Sequence, residues 1–155
     1  MPSYLTDSSI WIGSRRWSDT YLPGLLAERI GAGEVATCVP TTLEVLVGAA
    51  SAVEIEQDWK AVWEPVRWLP VSAATMERAL DLLLGLGKTT RGAHRRRPID
   101  FIIAACAETA GEDVVLWHWD RDLAAICDFA GIAHEPEHER AKANGINVEP
   151  GGRPA

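Results

Sequence analysis

The chain contains Asp113-Val114-Val115-Leu116-Trp117-His118-Trp119-Asp120, a largely apolar run that begins and ends at a carboxylate. A short run rich in β-branched and aromatic residues predicts a buried β-strand. Helical spacing follows from Asp120 to Ala130 and stops at Gly131, as helices commonly do at glycine. The segment therefore predicts one strand that leads directly into one helix.

The same alternation recurs through the rest of the chain. Strands are predicted at residues 4–7, 35–39 and 67–71, with a last edge strand at 132–133. Helical spacing predicts helices after residue 8, at 22–30, 41–47, 52–64 and 98–110, and from Ser72 to Gly85 or Gly87. Strands that alternate with helices imply crossover connections, and hence a mainly parallel sheet covered on both faces. The fold class predicted is α/β.

Four carboxylates stand where strands give way to helices or where helices begin. Asp7 and Asp120 follow predicted strands, Asp100 begins a helix, and Glu44 lies in the first turn or two of its helix. In open parallel sheets, ligands bind outside the carboxyl ends of the strands. We therefore expect these four side chains to converge at one edge of the sheet.

A divalent cation resolves the repulsion that such a cluster creates, because like charges a few ångströms apart raise one another's pKa. An all-oxygen ligand set suits Mg²⁺ or Mn²⁺. The hypothesis is that Asp7 and Asp100 hold the principal ion, and that Glu44 and Asp120 complete its shell or orient the attacking water. Ser8 and Ser9 follow Asp7 directly and are candidates for contacts with a carboxylate, a bound water or a phosphate.

The charge distribution favours a phosphate-bearing partner despite a net charge of -7. Between Leu82 and Ile99 there are five basic residues and no acidic one. Such a strip is often only a solvated loop, but this one directly precedes Asp100. Its members Arg95, Arg96 and Arg97 are predicted to contact phosphate groups of that partner, which confers affinity without sequence specificity.

Length and composition limit the domain count and the compartment. At 155 residues with 47% hydrophobic content, the chain has room for one ordinary core. It shows neither a membrane-spanning run nor a signal-peptide pattern, so a cytoplasmic protein is expected. Cys38, Cys106 and Cys127 lack CxxC spacing and are interpreted as buried thiols. One domain is predicted over residues 1–133, and a flexible tail over 134–155.

Two features are interpreted as structural. Trp59 and Trp63 are one helical turn apart and predict a stripe that faces the core. His118 lies in the strand of residues 113–118 and is interpreted as a packed residue rather than a metal ligand. His134 and His138 match the letters of the HExxH zinc motif, but Pro136 between them disfavours the continuous helix that this motif requires.

Four blocks of the sequence resemble the signature blocks of PIN-domain proteins, most closely the VapC-type toxins of bacterial toxin–antitoxin pairs. The order and spacing of the blocks make the resemblance specific as a set, and it spans most of residues 3–133. The blocks are Tyr4-Leu5-Thr6-Asp7-Ser8-Ser9-Ile10-Trp11-Ile12, Pro40-Thr41-Thr42-Leu43-Glu44-Val45-Leu46-Val47-Gly48-Ala49, Pro98-Ile99-Asp100-Phe101-Ile102-Ile103-Ala104-Ala105-Cys106-Ala107 and Leu116-Trp117-His118-Trp119-Asp120-Arg121-Asp122-Leu123.

The resemblance implies a PIN-like three-layer α/β/α domain with a five-stranded sheet. It implies a Mg²⁺-dependent endoribonuclease toxin that is usually a homodimer and is held inactive by a cognate antitoxin. The family's four acidic positions fall on Asp7, Glu44, Asp100 and Asp120, with Asp7 and Asp100 as the usual metal ligands. An additional acid that often follows falls on Asp122, which the hypothesis places at the rim of the catalytic site.

Two other functions remain open at the level of sequence. A non-catalytic PIN-fold module that binds RNA or protein would show the same ligand pattern, because a sequence does not show turnover. A Mg²⁺-dependent phosphotransfer protein would also gather acids at strand ends, but it would need a lysine partner late in the chain. Lys142 lies in the predicted tail, so this alternative is weaker.

Overall fold

A parallel five-stranded sheet organises the part of the chain that the structure, a computed structural model, describes: residues 1–16, 21–89, 91–92 and 95–145. The strands are Ser3–Thr6 (β1), Val35–Thr37 (β2), Arg67–Trp68 (β3), Val114–His118 (β4) and His134–Pro136 (β5). Their order in the sheet is β3-β2-β1-β4-β5, and every pairing is parallel. The predicted α/β class and five-stranded sheet are confirmed.

Helices cover both faces of the sheet and give three layers. The α-helices are Ser8–Arg16 (α1), Tyr21–Gly31 (α2), Val39–Leu46 (α3), Ala52–Asp58 (α4), Ala73–Gly87 (α5), Pro98–Ala110 (α6), Arg121–Ala130 (α7) and Glu137–Ala143 (α8). The core on one face is built around α5, α6 and α7, and includes Leu82, Phe101 and Ile126. The core on the other face includes Ile10, Leu22 and Trp63.

The order of the strands creates a crevice beside β1. The chain passes from β1 to β2 on one side and later places β4 on the other side. At such a switch point the connections leave in opposite directions, so the carboxyl ends of β1 and β4 border an open crevice. The backbone N–H of Asp7 donates to the Trp117 carbonyl at 2.9 Å, which holds the two strand ends together.

The predicted flexible tail from residue 134 is wrong over its first part. His134–Pro136 form β5, which pairs with β4, and α8 follows directly. The side chain of Glu137 is fully buried and accepts hydrogen bonds from the Tyr21 hydroxyl at 2.5 Å and from Trp117 Nε1 at 2.8 Å. The segment was predicted to be flexible because its polar composition gives no sign of a strand or of a buried side chain. The remainder of the predicted tail, 146–155, lies outside the described residues.

The interpretation of the three cysteines as buried thiols is confirmed. Cys38, Cys106 and Cys127 are free and buried. None of the helices in the described ranges is both long and apolar enough to cross a lipid bilayer.

Candidate active site

Asp7 lies at the carboxyl end of the central strand and is completely buried. Its Oδ2 accepts a hydrogen bond from the Ser9 backbone N–H at 3.0 Å. Within the described residues, no donor reaches its Oδ1. Burial raises the pKa of Asp7 because the ionised form is poorly solvated; bonds from Ser9 oppose this, and the charges of Asp120 and Glu44 add to it.

Asp120 follows β4 and is the N-cap of α7. Its Oδ1 accepts hydrogen bonds from the backbone N–H groups of Asp122 at 2.7 Å and Leu123 at 3.1 Å, which satisfies donors that the first helical turn leaves free. The other oxygen, Oδ2, lies 3.8 Å from Arg97 Nη2. One oxygen of Asp120 therefore holds the helix, and the other faces the cluster.

Asp100 and Glu44 reach the same place from α6 and α3. Asp100 stands in the first turn of α6, where the helix dipole favours a negative charge, and is 1% exposed. Glu44 accepts a hydrogen bond from Ser8 Oγ at 2.8 Å. Ser8 thus orients one of the four carboxylates.

The Arg97 guanidinium joins three of the four carboxylates. Its Nη1 donates to Glu44 Oε1 at 2.8 Å, and its Nη2 and Nε donate to the two oxygens of Asp100 at 2.7 and 3.3 Å. Together with the 3.8 Å approach to Asp120, these contacts show that residues from α3, α6 and the end of β4 meet around one cation. Asp7, which interacts electrostatically with Asp120 and Glu44, completes the set.

The cluster of four carboxylates carries more negative charge than a largely buried site stabilises without a further cation. The pKa of Asp100 is raised to about 7 by burial, with added contributions from Asp120 and Asp7, although Arg97 opposes the shift. Burial works to lower the pKa of Arg97, but the Asp100 and Glu44 carboxylates outweigh it and raise that pKa. A dication among these carboxylates would stabilise their ionised forms.

The donor set fits a hard divalent ion. All four side chains supply carboxylate oxygens, and Oδ1 of Asp7 is buried and accepts no hydrogen bond from the described residues. A metal ion is a natural partner for such an oxygen, because a buried acceptor without a partner is costly. Asp7, Glu44, Asp100 and Asp120 are therefore the residues that could hold Mg²⁺ or Mn²⁺.

The other candidate residues lie around this cluster in different settings. Ser9 Oγ accepts a hydrogen bond from the Trp119 backbone N–H at 2.9 Å, which fixes the path of the chain after β4. Asp122 has a side chain that is 63% exposed and lies 3.3 Å from Arg96 Nε. Arg95, Arg96 and Asp122 border a shallow pocket of about 360 Å³. The structure thus places Asp122 at the rim and two of the three arginines beside it.

Two histidines lie next to Asp120: His118, which is buried, and His134, which is partly exposed. The Asp120 backbone N–H donates to His118 Nδ1 at 3.2 Å, so Nε2 carries the proton and donates to His134 Nδ1 at 3.0 Å. His134 Nε2 then donates to Asp128 Oδ1 at 3.0 Å. Burial and the neighbouring His134 lower the pKa of His118 to about 3. The neutral imidazole supports the chain at Asp120, as expected for a packed residue.

Sequence reasoning missed two of these features. The contact of Arg97 with Asp100 has a local signal, since the two residues are three positions apart at the start of a helix, whereas its contact with Glu44 has none. The pairing of His118 with His134 joins neighbouring parallel strands, and had no signal because β5 was predicted two residues too early.

The family model of the PIN domain matches residues 4–128. The chain therefore belongs to the PIN-domain family. The match includes all five acidic candidates.

Among solved structures, the chain resembles the Mycobacterium tuberculosis toxin VapC20, described as cleaving the sarcin-ricin loop. The TM-score is 0.58 with 18% sequence identity, and the match covers 84% of this chain and 97% of that one. This likeness confirms the fold. A search of curated proteins finds no significant match.

Proposed function

We propose that this PIN-domain protein is a divalent-metal-dependent endoribonuclease that hydrolyses phosphodiester bonds in RNA. The observation that carries the proposal is the convergence of Asp7, Glu44, Asp100 and Asp120, with an Asp7 oxygen that accepts no hydrogen bond from the described residues. The family and the fold shared with an RNA-cleaving toxin support it.

Each acidic residue has a distinct part in this proposal. Asp7 and Asp100, the two buried acids, hold the principal ion. Glu44 and Asp120 are partly exposed, with side chains 19% and 27% accessible, and orient the attacking water at the open side. When bound, the ion lowers the pKa of that water and stabilises charge on the phosphate. Asp122 supports the rim through Arg96.

The arginines supply the electrostatic attraction for RNA. Arg95 is exposed, and Arg96 lies beside it at the pocket that adjoins Asp122. Positive charge next to a carboxylate cluster holds the phosphodiester backbone against the site, and the strength of this attraction falls with salt. Arg97 carries the same positive charge into the cluster itself.

The proposal includes a role as the toxin of a toxin–antitoxin pair. The antitoxin and a second copy of the chain are the expected partners. Helix α3 and its C-cap residue expose Val39, Leu43 and Val47 at a spacing of four residues, and α5 does the same with Met76, Leu80 and Leu84. Because α3 carries Glu44, an antitoxin that covers its apolar face would also block the site.

Cleavage of purified total RNA tests the enzymatic proposal directly. We expect cleavage with Mg²⁺ and none with EDTA. Asp7→Asn should abolish cleavage while the protein stays folded, because an amide keeps the hydrogen bond from Ser9 but not the negative charge. Asp113→Asn is the matched control, since this exposed acid precedes β4 at the opposite end of the strand.

The same experiment separates the alternatives. A non-catalytic module would bind RNA without cutting it, in Mg²⁺ and in EDTA alike. Activity retained by Asp7→Asn would contradict the site assignment. The phosphotransfer alternative gains no support, since Lys142 lies exposed on α8.

A further inference from the structure

The Arg97 side chain holds the position that a bound cation would need. Its guanidinium contacts Glu44 and Asp100 at hydrogen-bond distance and lies 3.8 Å from Asp120. Each of these N–H bonds uses a carboxylate lone pair that a metal ion would otherwise take. A guanidinium and a dication also repel each other at this range.

The spacing of the carboxylates reflects this occupant. In the described part of the chain, the only three His, Cys, Asp or Glu side chains with ligand atoms all within 4.8 Å of one another are His118, Cys127 and His134. No three of the four site acids are that close. Glu44, Asp100 and Asp120 are arranged around the guanidinium, which is larger than a metal ion.

We propose that Arg97 is an internal competitor for the metal, which occupies the carboxylate cluster in the metal-free protein and must leave it before the divalent ion binds. This inference rests on the proposed metal site. The two occupants are mutually exclusive, so the apparent metal affinity is reduced by the fraction of molecules in which Arg97 is docked. Metal binding in turn releases the guanidinium.

The position of Arg97 on the chain allows this movement. Arg97 is the residue that precedes α6, with extended backbone and no capping bond from its side chain to the helix. The side chain is 52% exposed, so it leaves the carboxylates without disturbing the core. Once released, it lies beside Arg95 and Arg96 and becomes available to an RNA phosphate.

Direct binding of Mn²⁺ without RNA, followed by electron paramagnetic resonance, tests the competition. Arg97→Gln removes the guanidinium charge. If the docked state holds about nine-tenths of the molecules, Arg97→Gln should bind Mn²⁺ about tenfold more tightly than the unmodified protein. Arg78→Gln is the matched control, because it makes the same charge change at an exposed pair with Glu108 on α5 and α6. It should leave Mn²⁺ affinity unchanged.

A thermal melt provides a second measurement on the same proteins. Without metal, Arg97→Gln should melt at a lower temperature, because its buried carboxylates lose their counter-ion. Mn²⁺ should then raise its melting temperature by more than it raises that of the unmodified protein. Arg97→Lys keeps the charge but loses the two-pronged geometry of the guanidinium, so its Mn²⁺ affinity should be intermediate. This variant replaces Arg97→Gln in the test if the glutamine variant does not fold.

The outcomes distinguish this inference from the proposed function. Arg97→Gln with unchanged or weaker Mn²⁺ affinity, while Asp100→Asn abolishes binding, would overturn the competition and leave the metal site standing. Asp100→Asn with undiminished Mn²⁺ affinity would overturn the metal site and the competition together.

Discussion

Asp7 and Asp100 differ from the other acids of the site in their burial. Both are almost completely removed from solvent, and the pKa of each is raised chiefly for that reason. A buried carboxylate that resists ionisation is costly unless a cation compensates it. In the proposed metal site, these two residues are therefore where metal binding and proton release would be most tightly linked.

The affinity for Mn²⁺ should depend on pH around neutrality. Because the pKa of Asp100 is raised to about 7, the metal-free protein holds a proton there at pH 6 that the unfolded chain has already lost. As pH rises through this window, the metal-free protein loses stability. Metal affinity increases, roughly tenfold per pH unit for one released proton. Calorimetric titration from pH 5.5 to 8.5 checks this, and a constant affinity would contradict it.

At the level of residues, the positions of the acids were predictable, but the arginine that bridges them, Arg97, was not. Asp7, Asp100 and Asp120 follow from strand ends and helix starts, since the geometry of a parallel sheet brings those positions together. The bridge from Arg97 to Glu44 joins residues 53 positions apart. That bridge depends on how α3 packs against α6, which no local pattern specifies.

Helix α5 shows how a local signal sets an element boundary. The sequence predicts that this helix starts at Ser72, whose hydroxyl accepts a hydrogen bond from the Thr75 N–H at 3.2 Å. Thr75 Oγ1 accepts in return from the Ser72 N–H at 3.2 Å. This reciprocal pair satisfies two backbone donors at the start of α5.

Removal of that cap should destabilise the fold measurably. Ser72→Ala should lower the free energy of unfolding by about 1 kcal/mol, the usual cost of losing an N-cap hydroxyl. Denaturant unfolding followed by circular dichroism measures the change. Ser72→Thr keeps a hydroxyl at the same position and should stay close to the unmodified protein. Equal stability of the alanine variant would show that the cap contributes nothing.

Two other elements departed from their predicted form. After α4 the chain makes a π-helical turn over Trp59–Trp63, closed by a hydrogen bond from the Glu64 N–H to the Trp59 carbonyl at 2.8 Å. The wider turn shifts the register of the side chains. Trp63 is buried as expected, whereas Trp59 is 42% exposed and packs beside Trp68. The edge strand β5 begins at His134, later than predicted, because its polar residues gave no strand signal.

Across the whole molecule, β5 and α8 close the sheet on the side of β4. Arg29 lies over the rings of Tyr4 and Trp117 and pairs with Glu135 at 2.8 Å. Glu137 is buried against Tyr21 and Trp117. The alternation of strands and helices predicted the three layers, but these contacts are between distant and mostly polar residues. They could not be inferred from periodicity.

Truncation tests whether the domain extends past residue 133. A chain of residues 1–133 should lose several kcal/mol of stability, because Arg29 and Trp117 Nε1 would be left buried without their carboxylate partners, at about 1–3 kcal/mol for each lost bond. A chain of residues 1–145, which keeps Glu135 and Glu137, is the control and should unfold at a higher denaturant concentration than the chain of residues 1–133. Denaturant midpoints give the comparison. Equal midpoints for the two truncated chains would contradict this and would show that the folded domain ends at residue 133.

The most direct measurement of the central claim is a crystal structure of the protein grown with Mn²⁺, in which anomalous scattering locates the ion. We expect the ion within about 2.0–2.3 Å of carboxylate oxygens of Asp7 and Asp100, with the Arg97 guanidinium withdrawn from the cluster. Anomalous density absent from these carboxylates, or found instead at His118, Cys127 and His134, would contradict the account.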